Sequence, residues 1–128
     1  MASVIRSVDI DTSADAVWAA VKDFFHPDAL APGFVVEAHR EGDERVVTLA
    51  HGATLREVLV GCDDALRRLS YTVTQGRSSH HNSSMQVLPS STGCQLVWVT
   101  DVLPDELAGY IGENSDRGLH AIAASFSG

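Results

Sequence analysis

The chain has 128 residues, of which 45% are hydrophobic and 20% are charged, as is usual for a soluble globular protein. This length predicts one domain covering residues 1–128, with a single buried core. The formal net charge of −8 disfavours nucleic acid and anionic membranes as partners, because both bind cationic surfaces. No stretch approaches the roughly 18 apolar residues of a membrane span, and the amino terminus lacks the apolar run of a signal peptide. These features predict a cytoplasmic protein.

The two cysteines, Cys62 and Cys94, are far apart and have neither a C-x-x-C spacing nor a histidine-rich metal motif nearby. Two reduced, half-buried thiols are expected, and a disulfide between neighbouring strands is the alternative. His80 and His81 would point to opposite faces of a strand, so they cannot chelate one metal ion together. The sequence therefore predicts neither a metal nor another cofactor.

The first predicted elements are a strand over residues 4–10 and an amphipathic helix after it. Thr12-Ser13 supplies the helix N-cap, and Asp15 follows Thr12 at the spacing of a capping box. Apolar residues then recur with helical spacing at Val17, Val21, Phe24 and Phe25. A second, short helical turn is expected over residues 29–31, before Pro32-Gly33 breaks the chain.

From Phe34 onwards the period of the apolar pattern changes to two, which is typical of strands. Six such segments are separated by turn residues: 34–40, 45–50, 53–62, 67–75, 80–88 and 94–102. Because short hairpin turns connect them, neighbouring strands should be antiparallel.

The last predicted element is a helix over residues 104–126, with Asp105 as its N-cap. Its apolar residues recur at spacings close to 3.6: Leu107, Ile111, Leu119, Ile122 and Phe126. These residues form an apolar stripe along one side of the helix, and the stripe has few apolar residues across 112–116. Each glycine in the helix lowers its stability by about 1 kcal/mol relative to alanine. Such a helix should form only against an apolar surface. The order of elements predicts an α+β fold, in which a curved, seven-stranded antiparallel sheet surrounds the C-terminal helix and leaves a cavity at one end.

Several segments carry a resemblance to a known family: residues 10–18, 21–24, 52–57, 63–71, 87–89 and 98–101. In this order they resemble the SRPBCC superfamily, the helix-grip fold of START domains, Bet v 1-like proteins and small polyketide cyclase/dehydratase-like proteins. The chain departs from its relatives at Leu30, where many carry a tryptophan, and at the polar run 80–84, where relatives are more apolar. The resemblance implies binding of a small hydrophobic or aromatic, polyketide-like molecule.

Strand alternation indicates which side chains face the helix, and it places Leu59 on the inner face with Leu55. The predicted ligand-binding residues are mostly apolar and come from the strands and the last helix: Phe34, Leu55, Leu69, Ser83, Met85, Trp98, Ile111 and Leu119. His39 and His51 are expected near the mouth of the cavity, and for both a structural or solvent-exposed position is the preferred interpretation. Asn114 could turn toward a ligand, but a solvated position is the preferred interpretation.

Three polar side chains on the inner face are candidate catalytic residues: Glu57, Tyr71 and His81. A desolvated carboxyl at Glu57 could act as a general acid or base; the alternative is an ion pair with an arginine on a neighbouring strand. The phenol of Tyr71 could donate to a carbonyl or enolate oxygen, or its ring could simply belong to the core. The imidazole of His81 could move protons near neutral pH, or it could lie solvated at an edge.

Three functions remain open at this stage. The first is an enzyme that promotes cyclisation or dehydration by holding its substrate in a reactive conformation and moving protons. The second is a non-catalytic carrier or sensor for a lipid or other hydrophobic ligand. The third is an interaction module, for which a filled interior and an exposed apolar patch would be expected. The sequence also leaves open whether the protein forms a homodimer.

Overall fold

A computed structural model describes residues 2–127, and it confirms the predicted α+β architecture. The seven strands are β1 Ala2–Ile10, β2 Val35–Glu41, β3 Glu44–Leu49, β4 Thr54–Asp63, β5 Arg68–Gln75, β6 His80–Ser90 and β7 Gly93–Leu103. The helices are α1 Ala14–Val21, α2 Pro27–Leu30 and α3 Ala108–Ser125, and a 3-10 turn at Asp105–Leu107 precedes α3.

All seven strands form one antiparallel sheet in the order β1-β7-β6-β5-β4-β3-β2. From β2 to β7 each strand pairs with the next through a short connection, as the hairpin turns predict. Helices α1 and α2 carry the chain from β1, at one edge of the sheet, to β2 at the other edge. This arrangement leaves one face of the curved sheet for α3 to cover, which is the helix-grip fold.

The N-cap of helix α1 is the second residue of the predicted Thr12-Ser13 pair and not the first. The Ser13 hydroxyl accepts a hydrogen bond from the backbone N–H of Ala16 at 3.2 Å, so Ser13 is the N-cap. The capping box predicted between Thr12 and Asp15 is wrong. With the cap at Ser13, Asp15 lies in the first turn, and its carboxylate accepts from Arg67 at 2.8 Å instead.

Helix α3 starts later than predicted. Its N-cap is Leu107, which makes no side-chain cap, and Asp105 lies in the preceding 3-10 turn. The predicted N-cap at Asp105 is therefore wrong, because one tighter turn separates Pro104 from the first α-helical residue. None of the helices in residues 2–127 is long and apolar enough to cross a membrane.

Several small residues of α3 lie where the helix packs against other elements. Gly112, Ser115 and Gly118 are all buried. A β-carbon at Gly118 would lie 2.8 Å from the ring of Trp98 and 3.1 Å from the ring of Phe34. Small residues thus let the helix approach the sheet at a distance that larger side chains would prevent.

The core lies between the sheet and the helices, and its fully buried side chains include Val17, Leu96 and Ile122. Cys94 is buried, Cys62 is exposed, and both are free thiols, so the alternative of a disulfide is wrong. Leu59 stands opposite Tyr71 in the β4–β5 ladder and so lies on the predicted face, but its side chain is 39% exposed. The pairing of β4 with β5 shifts register between Leu59 and Gly61, so the strict alternation of faces ends there.

Candidate ligand-binding site

A cavity lies between the sheet and α3, where the sequence predicted one. Its inner chamber has a volume of about 90 Å³, and an adjoining outer chamber has a volume of about 280 Å³. The two chambers share five lining residues: Leu49, Leu55, His81, Ile111 and Asn114. Apolar side chains form most of the wall, which is typical of a small-molecule site. A filled interior, expected for an interaction module, is not what the structure contains.

Most of the predicted site residues meet in the inner chamber. The candidate catalytic residues Glu57, Tyr71 and His81 all line it. Six of the predicted ligand-binding residues line it as well: Phe34, Leu55, Leu69, Met85, Trp98 and Ile111. Ser83 and Leu119 are buried but lie outside the lining.

Glu57 forms a buried ion pair with Arg45, which stands directly opposite it across the β3–β4 ladder. Arg45 Nε donates to Glu57 Oε1 at 2.7 Å, and Arg45 Nη1 donates to the carbonyl oxygen of Phe24 at 2.8 Å. The two residues are only 8% and 5% exposed. The predicted alternative for Glu57, pairing with an arginine on a neighbouring strand, is therefore confirmed. The inner chamber consequently holds two opposite charges that neutralise each other.

Tyr71 belongs to a row of hydroxyl groups that crosses three strands. It stands opposite Ser83, which stands opposite Thr100, and the hydroxyls of Ser83 and Thr100 are hydrogen-bonded at 2.8 Å. Burial raises the pKa of the Tyr71 phenol well above its usual value, and the negative charge of Glu57 raises it further, while Arg45 opposes that rise. The phenol therefore stays protonated and has a proton to donate in a hydrogen bond.

His81 lines both chambers, so its side chain stands between the mouth and the interior. Burial lowers the pKa of its imidazole, and His80 adds to this effect, while the carboxylate of Glu57 opposes it. The imidazole is therefore neutral at pH 7 and can accept a proton.

A titration of the histidine ring signals by NMR should place His81 below the usual pKa of about 6.5. His26, which contacts Asp23 Oδ1 at 2.8 Å through Nδ1, should titrate above that value in the same spectra, because this hydrogen bond raises its pKa.

The lowered pKa of His81 also affects stability. Because the folded-state pKa lies below the unfolded one, the unfolded chain binds more protons at pH values around and between the two. The His81 contribution to stability should thus fall as the pH drops from about 6.5 toward the folded pKa. His81 titrating above His26 would contradict its placement in a desolvated wall.

The mouth of the outer chamber is marked by Tyr110, near the start of α3. His51 Nε2 lies 3.5 Å from the Tyr110 hydroxyl, and the Arg77 guanidinium carbon lies 5.3 Å from the ring centre. His51 itself lines neither chamber, but this contact places it beside Tyr110 in the wall of the outer chamber. His39 lies exposed on β2, where its ring faces Glu41, and it lines neither chamber, so its predicted position is wrong.

Sequence reasoning missed Arg45 and Ser115 in the wall of the inner chamber, and it preferred the wrong position for Asn114. Asn114 is only 9% exposed, so the preferred solvated position is wrong. Spacing alone could have found it, since Ile111, Asn114, Gly118 and Ile122 recur at intervals of three or four residues. Arg45 likewise alternates with Val47 and Leu49, which are buried on the same face of β3.

Two polar atoms in this chamber are buried and make no hydrogen bond: Trp98 Nε1 and Asn114 Oδ1. The Trp98 indole lies close enough to the Tyr71 hydroxyl to lower the pKa of that phenol, yet the two groups are not hydrogen-bonded. Within residues 2–127, no group of three or more histidine, cysteine, aspartate or glutamate side chains is arranged to hold a metal ion.

Comparisons with known proteins relate this chain to a family. A family model described as polyketide cyclase / dehydrase and lipid transport matches residues 1–127. No curated protein sequence matches the chain significantly. An uncharacterised protein from Bacillus thuringiensis is similar in structure, with a TM-score of 0.87 and 20% identity over 98% of each chain.

Two further solved structures are similar over nearly the whole chain. A START superfamily protein from Mycobacterium smegmatis has a TM-score of 0.73 and 14% identity, with 95% of this chain and 94% of that chain covered. Norcoclaurine synthase from Thalictrum flavum, solved with dopamine and hydroxybenzaldehyde, has a TM-score of 0.68 and 16% identity, with 98% of this chain and 84% of that chain covered. At such identities these likenesses show the shared fold alone.

Proposed function

The chain belongs to the polyketide cyclase/dehydrase and lipid transport family, and we propose that it binds a small hydrophobic or aromatic, polyketide-like molecule and promotes its cyclisation or dehydration. The observation that carries this proposal is the meeting of Glu57, Tyr71 and His81 in one largely apolar chamber. Few, fixed polar groups in an apolar wall orient a ligand and can act on it without competition from water.

The proposed chemistry begins with proton transfer. The neutral imidazole of His81 removes a proton from a carbon next to a substrate carbonyl. The protonated phenol of Tyr71 donates a hydrogen bond to the oxygen of the enolate that forms. Glu57, held by Arg45, favours the positive charge that His81 then carries. In cyclisation, the enolate carbon attacks a second carbonyl of the same molecule, and His81 returns its proton to the alkoxide that forms. In dehydration, the enolate instead expels a hydroxyl group from the adjacent β-carbon as a C=C bond forms, and the proton from His81 lets that hydroxyl leave as water.

A non-catalytic carrier or sensor is the second candidate, and one observation favours it. Arg45 and Glu57 satisfy each other, so the strongest polar groups of the chamber are already partnered before a ligand enters. The remaining wall is mainly apolar, which suits retention of a hydrophobic molecule as well as reaction.

Native mass spectrometry of the freshly purified protein, compared with its denatured mass, tests the binding function. We expect a retained small molecule of hydrophobic or aromatic character, whose turnover is then followed with His81→Ala and Tyr71→Phe. Each variant should lose about 10²-fold or more in turnover while it binds the molecule within about threefold of the wild type.

His120→Ala is the matched control, because His120 is exposed on α3, and it should leave turnover unchanged. Binding without turnover by the wild-type protein would refute the enzyme and support the carrier. If the purified protein carried no ligand and bound none after incubation with hydrophobic compounds, both functions would be contradicted.

A further inference from the structure

The two unpartnered polar atoms of the inner chamber differ in chemistry. Trp98 Nε1 carries a proton and can only donate, whereas Asn114 Oδ1 can only accept. A buried polar atom without a partner has lost its hydrogen bonds to water and gained none in return. Both atoms belong to residues that line the chamber, so a ligand there can satisfy them.

The packing of α3 places these two residues close together. Asn114 and Gly118 lie one turn apart on the same face of the helix. The Trp98 ring lies against Gly118, where a β-carbon would be 2.8 Å from it. The atom that meets Gly118 is Cζ3, on the six-membered ring away from Nε1, so this contact places the indole ring and not its N–H. The N–H of Trp98 on β7 and the amide oxygen of Asn114 on α3 belong to residues that line the same inner chamber.

The charge of the chamber restricts the ligand further. Among the described residues that line the inner chamber, Arg45 and Glu57 are the ionised ones, and they pair with each other. His81 is neutral at pH 7, because burial lowers its pKa. A carboxylate or ammonium group that entered would lose its hydration without meeting a free counter-charge.

We propose that the ligand is uncharged and carries a phenol or alcohol hydroxyl at its inner end. The hydroxyl oxygen accepts from Trp98 Nε1–H, and the hydroxyl proton is donated to Asn114 Oδ1. One group thereby satisfies both unpartnered atoms, which neither a bare hydrocarbon nor a carboxylate does. This inference rests on the proposed binding function and names the chemical class of its ligand.

The test uses ¹⁵N-labelled full-length protein and three probes with the same ring system: 2-naphthol, naphthalene and 2-naphthoate. The chain has two tryptophans, so the spectrum shows two indole N–H signals. The Trp18 indole already donates to Asp64 at 2.9 Å and is the internal control. We expect 2-naphthol to bind about tenfold more tightly than either other probe, and to shift the Trp98 indole signal downfield while the Trp18 signal stays in place.

Matched variants assign this preference to the two residues. Trp98→Phe keeps an aromatic ring without the N–H, and Asn114→Leu keeps the size without the amide. Each should bring the affinity for 2-naphthol to within about threefold of that for naphthalene. Trp18→Phe should keep the full preference.

The comparison of probes in the wild type does not depend on how the variants fold. If naphthalene or 2-naphthoate binds as tightly as 2-naphthol, the inference is overturned while the binding function stands. If 2-naphthol binds without moving the Trp98 signal, the assigned hydrogen bond is wrong. If no probe binds, both the inference and the proposed function are contradicted.

Discussion

Replacing Arg45 by methionine is expected to lower the free energy of unfolding by about 3–5 kcal/mol, as measured by urea denaturation. The substitution keeps an unbranched side chain but removes the charge that faces Glu57 at 2.7 Å. A carboxylate that is 5% exposed would then have no counter-charge. The carbonyl oxygen of Phe24 would also lose the donor that Arg45 supplies at 2.8 Å. Both losses fall on the folded state alone.

Arg56→Met is the matched control for this prediction. Arg56 Nη1 contacts Glu41 Oε2 at 2.6 Å, a distance as short as that of the buried pair, but its side chain is 36% exposed. Water therefore solvates both partners once the pair is broken, and the expected loss is about 0–1 kcal/mol. If the two variants lost equal stability, burial of the Arg45–Glu57 pair would not be the reason for its contribution.

The double variant Arg45→Met, Glu57→Leu shows whether the loss of stability comes from leaving one buried charge unpaired or from losing the ion pair itself. With both charges absent, no ion is left without a partner, and apolar side chains can fill the same volume. We expect most of the stability lost in Arg45→Met to return. If replacing both residues changes the stability of the fold little, the ion pair has its role in the chamber. There Glu57 raises the pKa of both Tyr71 and His81.

The sheet could be predicted from the sequence because alternation is a local property. Side chains two residues apart share a face whatever the rest of the chain does, so Tyr71, His81 and Met85 were assigned to the inner wall correctly. Leu59 also lies on the predicted face, opposite Tyr71, but its 39% exposure was not predictable, because alternation gives the face of a side chain and not how far other elements cover it.

The helix side of the chamber was harder to predict, because its most important residues are small or polar. Asn114 and Gly118 looked like a weak stretch of α3, yet both are buried. A glycine lowers helix propensity, and only the facing ring of Trp98 shows why it is tolerated there. The partner of Glu57 was unspecified for a similar reason, since strand pairing decides which arginine stands opposite.

Gly118→Ala is expected to destabilise the fold even though alanine favours helices. The new methyl group would lie 2.8 Å from Trp98 Cζ3 and 3.1 Å from Phe34 Cε2, both in rigid aromatic rings. Overpacking of this kind costs about 1–3 kcal/mol, against a helix-propensity gain of at most about 1 kcal/mol. Thermal and urea denaturation should show a net loss of stability. Because both rings line the inner chamber, their displacement should also weaken the binding of 2-naphthol.

Two other glycines of α3 isolate the steric effect from helix propensity. A β-carbon at Gly109 would meet no atom within 4 Å, so Gly109→Ala should gain up to about 1 kcal/mol. A β-carbon at Gly112 would meet the end of the flexible Arg6 side chain, which can move aside, so Gly112→Ala should be nearly neutral. The gap between Gly118→Ala and Gly109→Ala then measures the overpacking itself. If Gly118→Ala and Gly109→Ala were equally stable, the rings of Trp98 and Phe34 would have to move aside at no cost. The chamber would then not have the fixed shape that positioning a substrate requires.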